Sequence, residues 1–123
     1  MTDGGRIAIV DDDSSVRRAV RRLVKSLGFD VVEFASAEDF LRAGGGRDST
    51  CLLLDVQLPG MNGLELQRQM IASDSRTPIV FMSAGNDETL RARALEAGAV
   101  AFLHKPFCGH ALIAAINASI RLR

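Results

Sequence analysis

Cys51-Leu52-Leu53-Leu54-Asp55 is an apolar run of four residues that stops on an acid. A run this short and this continuously apolar predicts a strand buried on both faces, the kind found in parallel sheets. Three more runs of the same kind lie on either side of it: Ile7 to Val10, Ile79 to Met82 and Val100 to Leu103. Val31 to Phe34 is a weaker fifth, and its charged Glu33 marks it as an edge strand.

The intervals between these runs carry helical periods. Val16, Val20, Leu23, Val24 and Leu27 repeat at the spacing of one helix face. Ser14 or Ser15 can cap that helix, and Gly28 stands where a left-handed C-terminal residue belongs. Ser36 caps a short helix carrying Phe40 and Leu41. A third helix runs from about Gly63 to Ala72 with Leu66 and Met70 on one side. A fourth begins near Asn86, carries Leu90, Ala94 and Leu95, and ends at Gly98. The last carries Leu112, Ala115, Ile116, Ser119 and Ile120 and reaches the C-terminus. Strand and helix alternate five times, which predicts an α/β fold: a doubly wound parallel sheet with helices on both faces. The flavodoxin-like strand order 2-1-3-4-5 places the weak second strand at the edge.

The 123 residues suit a single domain over 1–123, and 47% hydrophobic with 24% charged residues is ordinary for a soluble one. Fifteen basic and fifteen acidic side chains cancel, so no global field draws the chain to nucleic acid or to an anionic membrane. No apolar run is long enough to cross a bilayer, and Met1 to Arg6 is too short and polar for a signal peptide. Cys51 and Cys108 lack metal-binding spacing and read as reduced thiols, so a cytoplasmic location is expected.

In such sheets ligands bind beyond the carboxyl ends of the strands. Strand 1 is followed there by Asp11, Asp12 and Asp13, strand 3 by Asp55, strand 4 by Ser83, and strand 5 by His104 and Lys105. Taken singly, each has a plainer explanation: a turn aspartate, a helix cap, a solvated lysine. Their joint arrival at one edge of the sheet is what points to chemistry. Unit charges at 4 Å repel by about 4 kcal/mol at an effective dielectric near 20, so clustered carboxylates call for a divalent cation. Carboxylates, a carbonyl and waters suit Mg²⁺, which also accepts phosphate oxygens. The remaining acid, Asp55, is then a nucleophile toward phosphorus, with Lys105 and the Ser83 hydroxyl placed around the developing charge.

These residues carry a family resemblance. The chain resembles the receiver domains of two-component response regulators, with their CheY-like fold, over essentially its whole length. The similarity rests on Ile9-Val10-Asp11-Asp12-Asp13, on Leu54-Asp55-Val56-Gln57-Leu58-Pro59-Gly60-Met61-Asn62-Gly63, on Phe81-Met82-Ser83-Ala84, on Gly98-Ala99-Val100-Ala101-Phe102 and on Lys105-Pro106-Phe107. In flavour it is most similar to the FixJ-type receivers. The resemblance implies a phosphoacceptor switch that catalyses only its own phosphorylation and dephosphorylation. Asp55 would take a phosphoryl group from a sensor histidine kinase or a phosphotransfer protein. Asp12, Asp11 largely through water, Asp55 and the Gln57 main-chain carbonyl would hold Mg²⁺. Ser83 and Lys105 would bind phosphoryl oxygens, Lys105-Pro106 would be cis, and Phe102 would rotate with Ser83 as the switch is thrown. The helix 4, strand 5, helix 5 surface would then change, to form a homodimer or to control a transcriptional output domain.

Departures from the family pattern are local. Ser83 stands where Thr is commoner, and Cys108-Gly109-His110 replaces an acidic start to the last helix. Helix 1 carries Arg17, Arg18, Arg21, Arg22 and Lys25, either a solvated face or a docking face for the kinase. Three other functions compete. A haloacid-dehalogenase-like phosphohydrolase would show DxDx[TV] after strand 1, which Asp11-Asp12-Asp13-Ser14 does not match. A flavin-binding protein would offer hydroxyls there in place of acids. A phosphorylation-independent interaction module would share every feature of the fold and fail to react.

Overall fold

The computed structural model describes residues 5–46 and 48–121. Five strands, β1 (Arg6–Val10), β2 (Asp30–Phe34), β3 (Cys51–Asp55), β4 (Ile79–Ser83) and β5 (Ala101–His104), alternate with five helices. The helices are α1 (Ser14–Ser26), α2 (Ala37–Arg42), α3 (Gly63–Ala72), α4 (Glu88–Glu96) and α5 (Gly109–Arg121). All pairings are parallel and the order is β2-β1-β3-β4-β5, as the sequence predicts.

The continuous apolar runs are explained by two cores, one on each side of the sheet. Ala8, Val10, Leu52, Leu54, Ile79 and Phe81 face Phe40 of α2, Leu66 and Met70 of α3 and Ala94 of α4. The alternate residues Ile7, Ile9, Cys51, Leu53, Val80 and Met82 face Val20 and Val24 of α1 and Leu112, Ala115 and Ile116 of α5. A central strand thus needs apolar side chains at every position. The edge strand β2 needs them less, and its residues are half-buried or exposed. β5, the other edge, is likewise half-buried.

Several local expectations are corrected. Asp13, not Ser14 or Ser15, caps α1: its backbone is extended and its carboxylate accepts from the Ser15 and Val16 N–H groups. Asp87 caps α4, which therefore starts at Glu88 and not near Asn86. Val100 precedes β5. Leu27 and Ile120, assigned by period to buried faces, are exposed; Leu27 lies past the last turn of α1. Gly28 and Gly98 follow their helices with φ of 96° and 107°, the left-handed conformation expected of a helix stop. The reading of α5 as reaching the C-terminus falls on Leu122 and Arg123, outside the described residues.

Candidate functional site

Each chemical residue sits at or just past the carboxyl end of a strand. Asp55 closes β3, Ser83 closes β4, Asp11 and Asp12 follow β1, and Lys105 follows β5. A Lys105 N–H to Ser83 carbonyl bond of 2.7 Å carries the β4–β5 pairing one step further and brings the lysine beside β4. The Lys105-Pro106 bond is cis. The rim of an open cleft of about 470 Å³ is formed by Asp11, Asp12, Asp13, Asp55, Gln57, Ala84, Gly85 and Lys105. A larger groove of about 980 Å³ lies at the opposite edge of the sheet, near Gln69, Met70 and Arg76. Among the described residues no cluster of acids converges there, so chemistry and not size identifies the site.

Asp11 is fully buried and fully engaged. Its Oδ1 accepts the Asp13 N–H at 2.9 Å and its Oδ2 accepts Lys105 Nζ at 2.8 Å. Lys105 also reaches Asp55 Oδ2 at 3.3 Å. Asp55 is buried, and its Oδ1 accepts the Gln57 N–H at 3.1 Å. Asp12 is exposed at the mouth. Carboxylate oxygens of Asp11, Asp12 and Asp55 lie within 4.8 Å of one another.

One ammonium among these acids leaves negative charge uncompensated, and Asp55 registers it. Burial and the neighbouring Asp11 carboxylate push its pKa up to about 6, against the opposing pull of Lys105 and the Gln57 N–H. Burial works against the Lys105 charge, but its hydrogen bond to Asp11 and the two carboxylates outweigh that and hold its pKa above the usual lysine value. The donor set consists of hard oxygens with excess negative charge and two buried members. It fits a small divalent cation of the Mg²⁺ type.

Ser83 lies beside the acids at the end of β4, with its hydroxyl turned to a neighbouring side chain. It is buried, with its Oγ 3.0 Å from Gln57 Nε2 and 3.2 Å from Gln57 Oε1, and it accepts the Gly85 N–H at 3.1 Å. The Gln57 side chain thus covers the hydroxyl, a contact the sequence reading missed. Nothing in the residue spacing signals it, because Gln57 lies in the loop after β3 and Ser83 at the end of β4. Phe102 is half-buried on β5, its ring 6.0 Å from that of Phe81 and tilted by 35°.

Two further contacts were also missed. Glu38 on α2 accepts the Met61 N–H at 2.9 Å and so ties the β3–α3 loop, and that hydrogen bond holds its carboxyl below the usual range. Arg17 reaches back to the acid loop. Its Nη1 donates to the Asp11 carbonyl at 2.6 Å, and its Nε pairs with Glu33 at 3.1 Å. Arg17 and Arg21 both pair with Glu33, so the basic stripe on α1 is only partly a free surface. Glu33 had been read as nothing more than the mark of an edge strand.

Residues 7–117 match the family model of the response regulator receiver domain. The chain is 40% identical over 121 residues to the transcriptional regulatory protein FixJ of Bradyrhizobium diazoefficiens, covering 98% of this chain and 59% of that one. It is 41% identical over 116 residues to the response regulator protein TodT of Pseudomonas putida, covering 94% of this chain and 51% of TodT. The chain therefore spans between half and three-fifths of these relatives. The crystal structure of FixJ-N superposes with a TM-score of 0.87 at 32% identity, covering 98% of this chain and 96% of that one.

Proposed function

The chain belongs to the response regulator receiver family of two-component systems, and on that premise we propose that Asp55 is its phosphoacceptor. As a receiver domain it is a signalling module and not a turnover enzyme in the usual sense. The observation that carries the proposal is the convergence of Asp11, Asp12 and Asp55 with Lys105 bridging two of them.

In the proposed step an Asp55 carboxylate oxygen forms a bond to phosphorus, and the bond from phosphorus to the donor's leaving atom breaks. The donor is the phosphohistidine of a sensor kinase or phosphotransfer protein. The Asp55 pKa near 6 leaves the carboxylate largely ionised at neutral pH, ready for attack. Asp11, Asp12, Asp55 and the Gln57 main-chain carbonyl would hold Mg²⁺, which neutralises the acids and the incoming phosphate. Lys105 binds a phosphoryl oxygen, exchanging its pairing with Asp55 for the product. Ser83 donates to another oxygen, and to reach it the hydroxyl must leave the Gln57 carboxamide. Movement of Ser83 and Phe102 would alter the α4-β5-α5 face, on which a second copy or an output domain docks. In a full-length regulator of the FixJ or TodT kind that output is transcriptional.

Intact mass after incubation with Mg²⁺ and acetyl phosphate tests the chemistry. The expected result is a gain of one phosphoryl group in wild type and none in Asp55→Asn or with chelator. A folded, Mg²⁺-binding protein that gains nothing from several donors would instead be a phosphorylation-independent interaction module.

A further inference from the structure

One side chain of α1, Arg17, joins strand β2 to the acid loop, and its geometry is specific. Arg17 is mostly buried, with 18% of its side chain exposed, against 50% for its neighbour Arg21. Its guanidinium is forked between two acceptors: Nη1 donates to the Asp11 main-chain oxygen, and Nε to Glu33 Oε1. The Asp11 carbonyl belongs to the peptide plane from which Asp12 departs. The Asp11 side chain is already fixed by the Asp13 N–H and by Lys105. With its carbonyl also held, the peptide plane that leads to the exposed Asp12 carboxylate is anchored at the Asp11 oxygen.

By charge alone, Arg17 is badly placed. A cation beside three acids weakens their attraction for a divalent ion. A guanidinium retained there must therefore contribute through geometry. We infer that Arg17 is a positioning residue for divalent-cation capture: anchored by Glu33, it orients the Asp11–Asp12 peptide so that the Asp12 carboxylate converges with those of Asp11 and Asp55. This rests on the Mg²⁺ reading of the site. The role suits arginine and not lysine, because a single ammonium on a flexible stem cannot hold both acceptors in one plane.

The test is Mg²⁺ titration calorimetry on wild type, Arg17→Lys, Arg17→Met, Glu33→Gln and the Arg17→Lys/Glu33→Gln pair, with circular dichroism confirming each fold. Loss of an outer-shell partner of this kind weakens metal affinity about tenfold, and that fall is expected for both Arg17 variants. Glu33→Gln should weaken binding in wild type and add nothing in the Arg17→Lys background. With acetyl phosphate the loss should appear in the Mg²⁺ concentration giving half-maximal phosphorylation, not in the limiting rate. A bystander charge predicts the opposite sign: Arg17→Met binds Mg²⁺ more tightly and Arg17→Lys binds as wild type, and that outcome overturns the inference. Should Arg17→Met not fold, unchanged affinity in Arg17→Lys overturns it alone. No Mg²⁺ binding by wild type would instead remove the metal reading itself, and this role with it.

Discussion

At the scale of single residues, Asp55 carries the electrostatic load of a buried carboxylate beside another acid. Its folded pKa is raised to about 6 from an ordinary 3.8, so the folded state holds the proton more tightly than the unfolded one. The associated stability is complete below about pH 4 and is lost as pH rises through about 6. Asp55→Asn has no such dependence. In metal-free protein the melting temperature of the variant should therefore exceed that of wild type by a margin that grows between pH 4 and 6, reaching about 3 °C or more. Equal margins at both ends of that range would contradict the assigned environment. The two thiols differ in the same spirit. Burial pushes Cys51 up to about 11, partly opposed by a hydrogen bond to Ser119, whereas Cys108 is exposed. A thiol reagent at neutral pH should modify native Cys108 and reach Cys51 only on unfolding, when a second equivalent is consumed.

At the scale of elements, α3 is seated on the backbone that follows Asp55. A Cβ on Gly63 would stand 2.5 Å from the Asp55 carbonyl oxygen and 3.0 Å from Val56 Cα. The Gly63 N–H donates to the Val56 carbonyl at 3.0 Å, which holds the approach close. Gly63→Ala should cost about 1–3 kcal/mol in urea unfolding through overpacking, because the atoms in its way are main chain. Elements are also where sequence reading reaches its limit. The strands were legible to within a residue because their apolar runs are short and abrupt. The start of α1 was not: Asp13, Ser14 and Ser15 are all capping residues, and only the extended backbone of Asp13 decides among them. The Arg17–Glu33 pair joins positions 16 residues apart, and its formation depends on how α1 is rotated over the sheet. The Gln57–Ser83 contact joins the loop after β3 to the end of β4 through a side-chain torsion that spacing does not encode. The shared location of Asp11, Asp12, Asp55 and Lys105 was readable because strand ends deliver them. The contacts that orient them were not, being fixed by tertiary packing.

At the scale of the molecule, metal and fold should be linked. A ligand that binds only the folded state, present at about 100 times its dissociation constant, stabilises by about 2.7 kcal/mol. Mg²⁺ at that excess should raise the melting temperature by on the order of 5–10 °C, and chelation should reverse it. No Mg²⁺-dependent shift in a protein whose acids converge within 4.8 Å would contradict the proposed donor set.

The sheet also separates two packing problems. Side chains of β1, β3 and β4 alternate strictly between the α2-α3-α4 side and the α1-α5 side, and Phe102 packs with the first. Backbone stands between the two sets, so a methyl group lost at Val24 has no neighbour in common with one lost at Leu66. Cost should add across the sheet and fail to add within one side. The domain is thus insulated as well as folded. One side can drift in sequence to suit its own packing without disturbing the packing of the other.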